Sequence, residues 1–262
     1  MSLNKPIPIH SSPRSRVPLF AMLGVILVLG TGALLYIYQL YNRPSSNRWL
    51  QYAVYRSNPE GYDEIRLQPG QRCGEAPFAF PTTGVIFGLW NQSYRPGHTH
   101  TGLDIFPATE PGQTAVYAAY PGYLTRQADW IATVIIRIPQ DPLNPNRQIW
   151  TYYTHMATAD GESFVAPQFP PGTSEVFVEA GTFLGLQGDY SGDPQNPTGL
   201  HLHFSVVADS EGHYLNETML ENTYDPTPYF NLPVDHSVNP NEFPRCEEIL
   251  TVEAWQLVNA DE

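Results

Sequence analysis

Residues 198–207, TGLHLHFSVV, contain the pattern that decides the fold of this chain. A glycine precedes a run of apolar, aromatic and β-branched residues, in which His201 and His203 stand two positions apart. Such a run favours an extended strand, where residues i and i+2 project from the same face about 6 to 7 Å apart. The sequence therefore predicts that His201 and His203 project together into one cleft.

Comparable short runs recur before this segment. They are rich in β-branched and aromatic residues, and Gly, Pro, Asn or Asp separates them, as is typical of strands. These runs are GVIFGLW, GLDIF, AVYAAY, GYLTRQA, TVIIRI, IWTYYTHM, EVFVEAG and FLGLQG. The pattern predicts an all-β domain, mainly an antiparallel sheet with glycine-rich turns. Long loops are expected at 139–148, 157–174 and 188–199.

The composition excludes several classes of protein. The chain has 262 residues, enough for one sizeable domain and an accessory segment. Its formal net charge is −13, and 15% of its residues are charged, against about 25% in soluble proteins. These values exclude a nucleic-acid-binding protein that works through a basic surface, a coiled coil and a charge-rich disordered chain.

Residues 17–40 are predicted to form one transmembrane helix. No charged residue lies between Arg16 and Arg43, and the run VPLFAMLGVILVLGTGALLYIY is long enough for a bilayer about 30 Å thick. The apolar core of a cleaved signal peptide, the competing interpretation, is shorter, at about 7 to 15 residues. The basic residues before the helix favour a cytoplasmic arm at 1–16.

The rest of the chain divides into three predicted parts. Residues 41–72 are polar and turn-rich, the composition of an extracytoplasmic stalk. Residues 73–246 form the predicted β domain, and residues 247–262 a C-terminal tail, for which a short helix is one interpretation. Cys73 and Cys246 lie near the two ends of the domain. They either form one disulfide in an oxidising compartment or remain buried thiols.

His100 and Asp104, in HTHTGLDIF, are four residues apart. In a straight strand they would be about 13 Å apart, too far to bind one metal ion. The chain must therefore bend between them, and Gly102 lies where the bend is needed, with a helix as the poorer alternative. Two imidazoles and one carboxylate leave a fourth position open on a tetrahedral zinc, which is the arrangement of a catalytic site.

Together, and in this order, these motifs resemble those of the M23 (lysostaphin-type, LytM-like) zinc metallopeptidases. The resemblance extends from about Thr83 to Val207, and more loosely to DPTPYF near 225–230. The segments AVYAAYPGYL and VEAGTFLGLQGDYSG look like the family's strand and turn signatures. The loops after His155 and before HLHF are longer than in compact members, which leaves substrate specificity open.

The resemblance implies one zinc ion per chain and a specific set of site residues. The implied zinc ligands are His100, Asp104 and His203. His201 and His155, the latter in YYTHM, correspond to the family's catalytic histidines, and which of them is the general base stays open. Tyr94 matches a tyrosine that helps to stabilise the oxyanion in some members.

The resemblance implies a membrane-anchored zinc endopeptidase that cleaves peptide bonds in peptidoglycan cross-bridges or stem peptides. We expect a single-pass protein of the cell membrane with its catalytic domain outside the cytoplasm. The expected partners are peptidoglycan peptides, the membrane through the N-terminal helix, and cell-wall or division proteins, but no nucleic acid. The alternative is a non-enzymatic M23-like activator of cell-wall hydrolases, or a wall-binding module. Such activators usually lack site residues, and all five are present here, which favours the enzyme.

Overall fold

The computed structural model describes residues 19–41, 44–92, 98–234 and 243–252. The chain divides into two compact units, residues 1–43 and 44–262. The first unit contains helix α1, Leu19–Tyr41. The second unit begins with helix α2, Pro44–Ser57, which a 3-10 helix at Pro59–Ile65 follows.

The second unit consists mainly of β-strands. In chain order these are β1 Gln71–Cys73, β2 Val85–Gly88, β3 Leu103–Phe106, β4 Ala115–Tyr117, β5 Gly122–Thr125, β6 Val134–Ile138, β7 Ile149–Thr154, β8 Val176–Val178, β9 Phe183–Leu186, β10 Leu202–Ser210, β11 His213–Tyr214, β12 Thr223–Tyr224 and β13 Ile249–Val252. Short 3-10 helices at Leu220–Asn222 and Thr227–Phe230 flank β12.

The main sheet has the strand order β2-β3-β10-β7-β6-β5-β8, and β11 and β12 also pair with β10. Two small sheets, β1-β13 and β4-β9, accompany it. Every strand pair in the described part of the chain is antiparallel. The prediction of a mainly antiparallel β fold is therefore confirmed.

The side chains of strand β10 alternate between the two faces of the main sheet, because successive side chains of a strand point in opposite directions. Its even-numbered apolar residues belong to the main hydrophobic core, namely Leu202, Phe204 and Val206. Full burial of such a side chain stabilises the fold by about 1.5 to 3 kcal/mol. The odd-numbered residues His203 and Ser205 therefore lie on the opposite face, which carries the candidate site.

Cys73 and Cys246 form a disulfide, and their Cα atoms are 5.2 Å apart. Cys73 is the last residue of β1, which pairs with β13 near the end of the described chain. The bond therefore ties the entry of the domain to its exit and closes a loop with a sequence separation of 173. Of the two alternatives that the sequence leaves open, the structure contains the disulfide.

Helix α1 covers most of the segment that is predicted to span a membrane. The large apolar side chains described along it, from Leu23 to Tyr36, are exposed. Among the described residues we nevertheless find no helix with the length and apolarity that a membrane crossing requires. The transmembrane helix at 17–40 is therefore not supported by the structure and stays a prediction from the sequence.

Residues 44–65 differ from the stalk that was predicted for 41–72. They form α2 and a 3-10 helix, and Tyr55 of α2 is fully buried against Phe87 of the main sheet. The rings of Tyr55 and Phe87 lie 5.3 Å apart. The polar composition of the segment conceals this packing, because the aromatic partners of its tyrosines come from strands distant in the sequence.

The C-terminal tail also differs from its helical interpretation where the structure describes it. Residues Ile249–Val252 form strand β13, which pairs with β1. Pairing with β1 satisfies backbone groups that a helix would satisfy internally, and a sequence pattern cannot reveal that partner. Residues 253–262 lie outside the described part of the chain.

Removal of the disulfide by Cys73→Ala together with Cys246→Ala is expected to lower the free energy of unfolding by about 2 to 5 kcal/mol, because the unfolded chain gains conformational entropy. Denaturant unfolding followed by tryptophan fluorescence measures this change. Reduced wild-type protein is the control and should match the variant in stability. A variant as stable as the oxidised wild type would contradict the prediction.

Candidate metal centre

Three neighbouring strands carry predicted site residues to one face of the main sheet. In the register of β10, His203 stands opposite Asp104 of β3 on one side and Thr154 of β7 on the other. His155 directly follows β7, and His201 directly precedes β10. The antiparallel register therefore brings together residues from three separate segments of the sequence.

His100 reaches the same place from the loop before β3. Its backbone N–H donates to Gln92 O at 2.7 Å, and its carbonyl accepts a hydrogen bond from the Asn91 N–H at 2.8 Å. The chain bends between His100 and Asp104, so that His100 Nε2 lies 2.9 Å from Asp104 Oδ1. The bend that the four-residue spacing predicts is present.

Gly102 is needed in this bend for a different reason from the one that the sequence suggests. The expectation is that glycine supplies backbone angles that other residues resist, but Gly102 does not have a positive φ. A Cβ atom there would lie 2.2 Å from Phe204 O and 2.5 Å from Ser205 Oγ. Gly102 is therefore needed because β10 passes too close for any side chain.

Three potential ligand atoms form an almost equilateral triangle. His100 Nε2 lies 2.9 Å from Asp104 Oδ1 and 3.0 Å from His203 Nδ1, and the last two atoms are 2.9 Å apart. Ligand atoms about 2.0 to 2.1 Å from a tetrahedral zinc would be roughly 3.3 Å apart. The triangle therefore fits one ion of that size after a small expansion. Within the described residues, this is the group that could hold a metal ion.

Hydrogen bonds on the far side of each imidazole orient these ligand atoms. His100 Nδ1 donates to Leu89 O at 2.9 Å, since a carbonyl oxygen can only accept, so Nε2 is the nitrogen that faces the triangle. His203 Nε2 lies 2.8 Å from Ser205 Oγ. A proton on that nitrogen donates to the hydroxyl and leaves the Nδ1 lone pair facing the triangle. Such partners are typical of metal-binding histidines.

The charges around the triangle suit a cation. Burial would raise the pKa of Asp104, but the neighbouring His100 and His201 hold it well below its usual range, so Asp104 is a carboxylate at neutral pH. Burial lowers the pKa of His203, which favours its neutral form. Burial opposes a proton on His100 as well, but Asp104 raises its pKa. A metal ion would replace that proton between His100 and Asp104.

His201 and His155 lie beside the triangle without completing it. His201 Nδ1 donates to Gly199 O at 2.9 Å, and its Nε2 is 3.4 Å from Asp104 Oδ1. His155 Nδ1 donates to Tyr190 O at 2.6 Å. The two imidazole centroids are 4.6 Å apart. Each ring therefore keeps an Nε2 atom that its backbone hydrogen bond does not occupy.

The environment of His155 favours a neutral imidazole. Burial, and then the neighbouring His201 and His203, hold the pKa of His155 well below its usual value. Its φ of 71° lies in the left-handed region, which is costly for a residue with a side chain. Such strain is common at functional sites, and the His155 ring centroid lies 4.6 Å from that of His201 and 6.1 Å from that of His203.

Close backbone contacts that the sequence does not reveal surround the site. A Cβ atom at Gly188 would lie 2.0 Å from Ala157 O and 2.6 Å from His155 O. A Cβ atom at Gly88 would lie 2.4 Å from Asp104 Oδ2. Both glycines therefore admit neighbouring groups that position site residues. Their only sequence signal is a glycine beside a strand, which is too common to point to this role.

The sixth predicted site residue, Tyr94, lies outside the described residues. The five others, listed as His100, Asp104, His155, His201 and His203, lie together around Asp104 Oδ1 and the neighbouring imidazoles. His98, which the HTH sequence places two residues before His100, is half-buried and is not part of the triangle.

Two groups of aromatic residues flank the candidate metal centre on this face of the sheet. We call the first the α2 cluster, and it contains Tyr52, Tyr55, Tyr62, Phe87, Phe106 and Phe243. The second, the hairpin cluster, contains Trp130, Trp150, Tyr152 and Tyr214. The Tyr152 ring centroid lies 6.1 Å from that of His203, and burial raises the pKa of Tyr152 to about 12. Tyr152 therefore stays neutral in the physiological pH range.

Several solved structures are similar to this chain, among them the antimicrobial peptidase lysostaphin. Lysostaphin from Staphylococcus simulans matches at 17% identity and a TM-score of 0.38, over 61% of this chain and 52% of that one. The catalytic domain of the M23 protein EnpA from Enterococcus faecalis matches at 21% identity and a TM-score of 0.33, over 58% of this chain and 96% of the EnpA chain. Csd3 from Helicobacter pylori matches at 21% identity and a TM-score of 0.36, over 62% of this chain and 35% of the Csd3 chain.

The chain spans about half the length of the lysostaphin chain that it matches. No protein-family model and no curated protein matches the chain. Among solved structures, the chain is similar to lysostaphin and to the M23 protein EnpA.

Gly88→Ala is expected to reduce zinc binding more than it reduces stability, because the added Cβ would displace the Asp104 carboxylate while the core face of the sheet stays intact. Elemental analysis and thermal unfolding of the same preparation separate the two effects. Gly212→Ala is the control, since a Cβ there meets nothing within 4 Å and only its φ of +87 is unfavourable. Equal zinc content in the two variants would show that Gly88 does not position Asp104.

Proposed function

We propose that this chain is a zinc metallopeptidase that binds one zinc ion through His100, Asp104 and His203. The observation that carries the proposal is the triangle of ligand atoms with sides of 2.9, 3.0 and 2.9 Å. Two imidazole nitrogens and one carboxylate oxygen are a usual donor set for catalytic zinc. The residues present therefore fit the ion that the sequence resemblance implies.

Zinc bound there would polarise the scissile carbonyl and lower the pKa of a coordinated water. His155 and His201 supply the proton transfers. Each is held by one Nδ1–H bond to a backbone carbonyl and keeps its Nε2 for a reacting group. The lowered pKa of His155 keeps its imidazole neutral at neutral pH, as a general base requires. His201 Nε2 lies 3.4 Å from Asp104 Oδ1, close enough to the proposed zinc ligands to reach a group bound there.

The proposed substrates are the peptides of peptidoglycan, cleaved within cross-bridges or stem peptides. The sequence resemblance to the M23 peptidases supports this substrate class. The geometry supports the hydrolysis itself, because the chain offers the three ligands and two additional histidines. No serine or cysteine nucleophile is needed when a metal ion activates water.

A non-enzymatic activator of cell-wall hydrolases, or a wall-binding module, is the second candidate. Its sequence signature would be the loss of one or more of the five site residues. This chain keeps all five, and they converge in space, which favours an enzyme over an activator.

We further propose that residues 17–40 anchor the protein in the cell membrane with its β domain outside the cytoplasm. The uncharged run between Arg16 and Arg43 supports an anchor. The Cys73–Cys246 disulfide supports an oxidising compartment outside the cytoplasm. Cell-wall or division proteins are the partner class that such a location implies.

The roles of the histidines are separable in full-length protein. His203→Ala should lose zinc and activity together, because two remaining ligands compete poorly with buffer. His201→Ala and His155→Ala should keep one zinc per chain and lower turnover by about 10² to 10⁴, the effect of removing an acid–base group. Elemental analysis and mass spectrometry of cleaved muropeptides measure both properties.

The matched control is His213→Ala, which removes an exposed histidine of β11. This variant should keep parental zinc content and turnover. Wild-type protein that binds no zinc even after reconstitution would refute the proposal that the chain is a zinc metallopeptidase. Zinc-loaded protein that cleaves no muropeptide would favour the activator instead.

The proposed topology predicts that protease added to intact spheroplasts digests the bulk of the chain, because residues 41–262 would be outside the membrane. Immunodetection of the C-terminal part measures the digestion. A cytoplasmic protein serves as the control and should stay intact. Full protection of the β domain would place it in the cytoplasm and contradict the anchor orientation.

A further inference from the structure

We propose that Phe106 is a positioning residue for His201, and that helix α2 holds Phe106 in place through Tyr52 and Tyr55. The inference rests on the function proposed above, in which His201 transfers protons. It assigns a role in catalysis to a helix that the sequence presents as part of a polar stalk.

The Phe106 ring stacks on the imidazole of His201. The ring centroids are 4.9 Å apart, and the ring planes make an angle of 24°. Phe106 stands two residues after Asp104 in β3, so both side chains project from the same face of the sheet. The strand that supplies a proposed zinc ligand therefore also supplies the surface against which His201 lies.

The His201 imidazole needs such a surface to stay in one orientation. The ring has polar contacts at its two nitrogens, from Nδ1 to Gly199 O at 2.9 Å and from Nε2 to Asp104 Oδ1 at 3.4 Å, and both leave rotation about the line through the two nitrogens open. Phe106 lies at 4.9 Å from the ring, and His155 lies at 4.6 Å. Together they confine the direction of His201 Nε2. A misplacement of about 1 Å in a catalytic group can lower the rate by about 100-fold.

Helix α2 contacts both the side chain and the backbone of Phe106. The Tyr52 ring lies 4.4 Å from the Phe106 ring, and the Tyr55 hydroxyl donates to Phe106 O at 3.1 Å. Tyr55 is itself fully buried, so the helix is fixed at this point. The contacts run continuously from α2 through Phe106 to His201.

Phe106→Leu tests the inference in the zinc-loaded full-length protein, because leucine keeps the apolar bulk but removes the flat ring. We expect kcat to fall by about 10-fold while KM stays within about twofold and zinc content stays at one per chain. Tyr52→Ala should change kcat in the same direction. Unchanged kcat in both variants would overturn the inference.

Tyr62→Ala is the matched control. Tyr62 belongs to the same α2 cluster, and its ring packs against Tyr55, Phe87 and Phe243. Its loss removes packing on Tyr55 but leaves in place the contacts of Phe106 with the Tyr52 ring and the Tyr55 hydroxyl, so kcat should stay within about twofold of the parental value. A fall in kcat equal to that of Tyr52→Ala would show that the cluster acts through general stability, and would overturn the inference.

A double-mutant cycle with His201 distinguishes positioning from packing. If Phe106 acts through His201, Phe106→Leu should cause no further loss of kcat in the His201→Ala background. An equal fold-loss in both backgrounds would show that Phe106 acts elsewhere. Where Phe106→Leu does not fold, Tyr55→Phe serves instead, since it removes only the hydroxyl that bonds to Phe106 O.

A spectroscopic measurement tests the contact independently of turnover. The ring current of Phe106 should shift the carbon-bound ring protons of His201 in the NMR spectrum of the zinc-loaded protein, and Phe106→Leu should abolish that shift. An unchanged shift overturns the inference.

If His201→Ala keeps parental turnover, the proposed role of His201 fails and the positioning role fails with it. If His201→Ala lowers turnover but Phe106→Leu has no effect, the positioning role fails and the proposed function is retained.

Discussion

The convergence of imidazoles on the Asp104 carboxylate is the interaction on which the rest of the site depends. The Asp104 side chain is only 13% exposed, and a buried carboxylate is costly unless positive charge or hydrogen-bond donors surround it. His100, His203 and His201 approach the same oxygen, Asp104 Oδ1, within 2.9 to 3.4 Å. The proposed cation, held by His100, His203 and the carboxylate, would satisfy these three ligands together.

The sheet makes this convergence possible because β10 lies between β3 and β7. A one-residue slip of β10 would turn His203 into the hydrophobic core and bring Leu202 or Phe204 to the metal centre. The buried apolar residues of β10 therefore set the position of the candidate site as much as the polar ones do. Glycines at positions 88, 102 and 188 allow the close contacts that this register requires. The core residues and the site residue His203 thus lie on opposite faces of the same strand.

The two aromatic clusters lie on either side of the candidate site, on the same face of the sheet. The hairpin cluster covers the side beyond His203, where Tyr152 approaches the imidazole. The α2 cluster covers the side beyond His201, where Phe106 stacks on the ring. The proposed ligand and the proposed proton-transfer residue of the HLH segment therefore have different aromatic neighbours. This difference gives a structural reason why two histidines two residues apart can serve separate functions.

The sequence by itself predicted the strands and the shared face of His201 and His203. Short β-branched runs and the i, i+2 spacing of His201 and His203 are local properties, which backbone geometry converts directly into extended structure and a shared face. Only the tertiary structure decided the strand register, the Cys73–Cys246 pairing and the packing of α2, because each depends on groups far apart in the chain. It also replaced the conformational explanation for Gly102 with a steric one, since the atom that excludes a side chain there is the carbonyl oxygen of Phe204, on another strand.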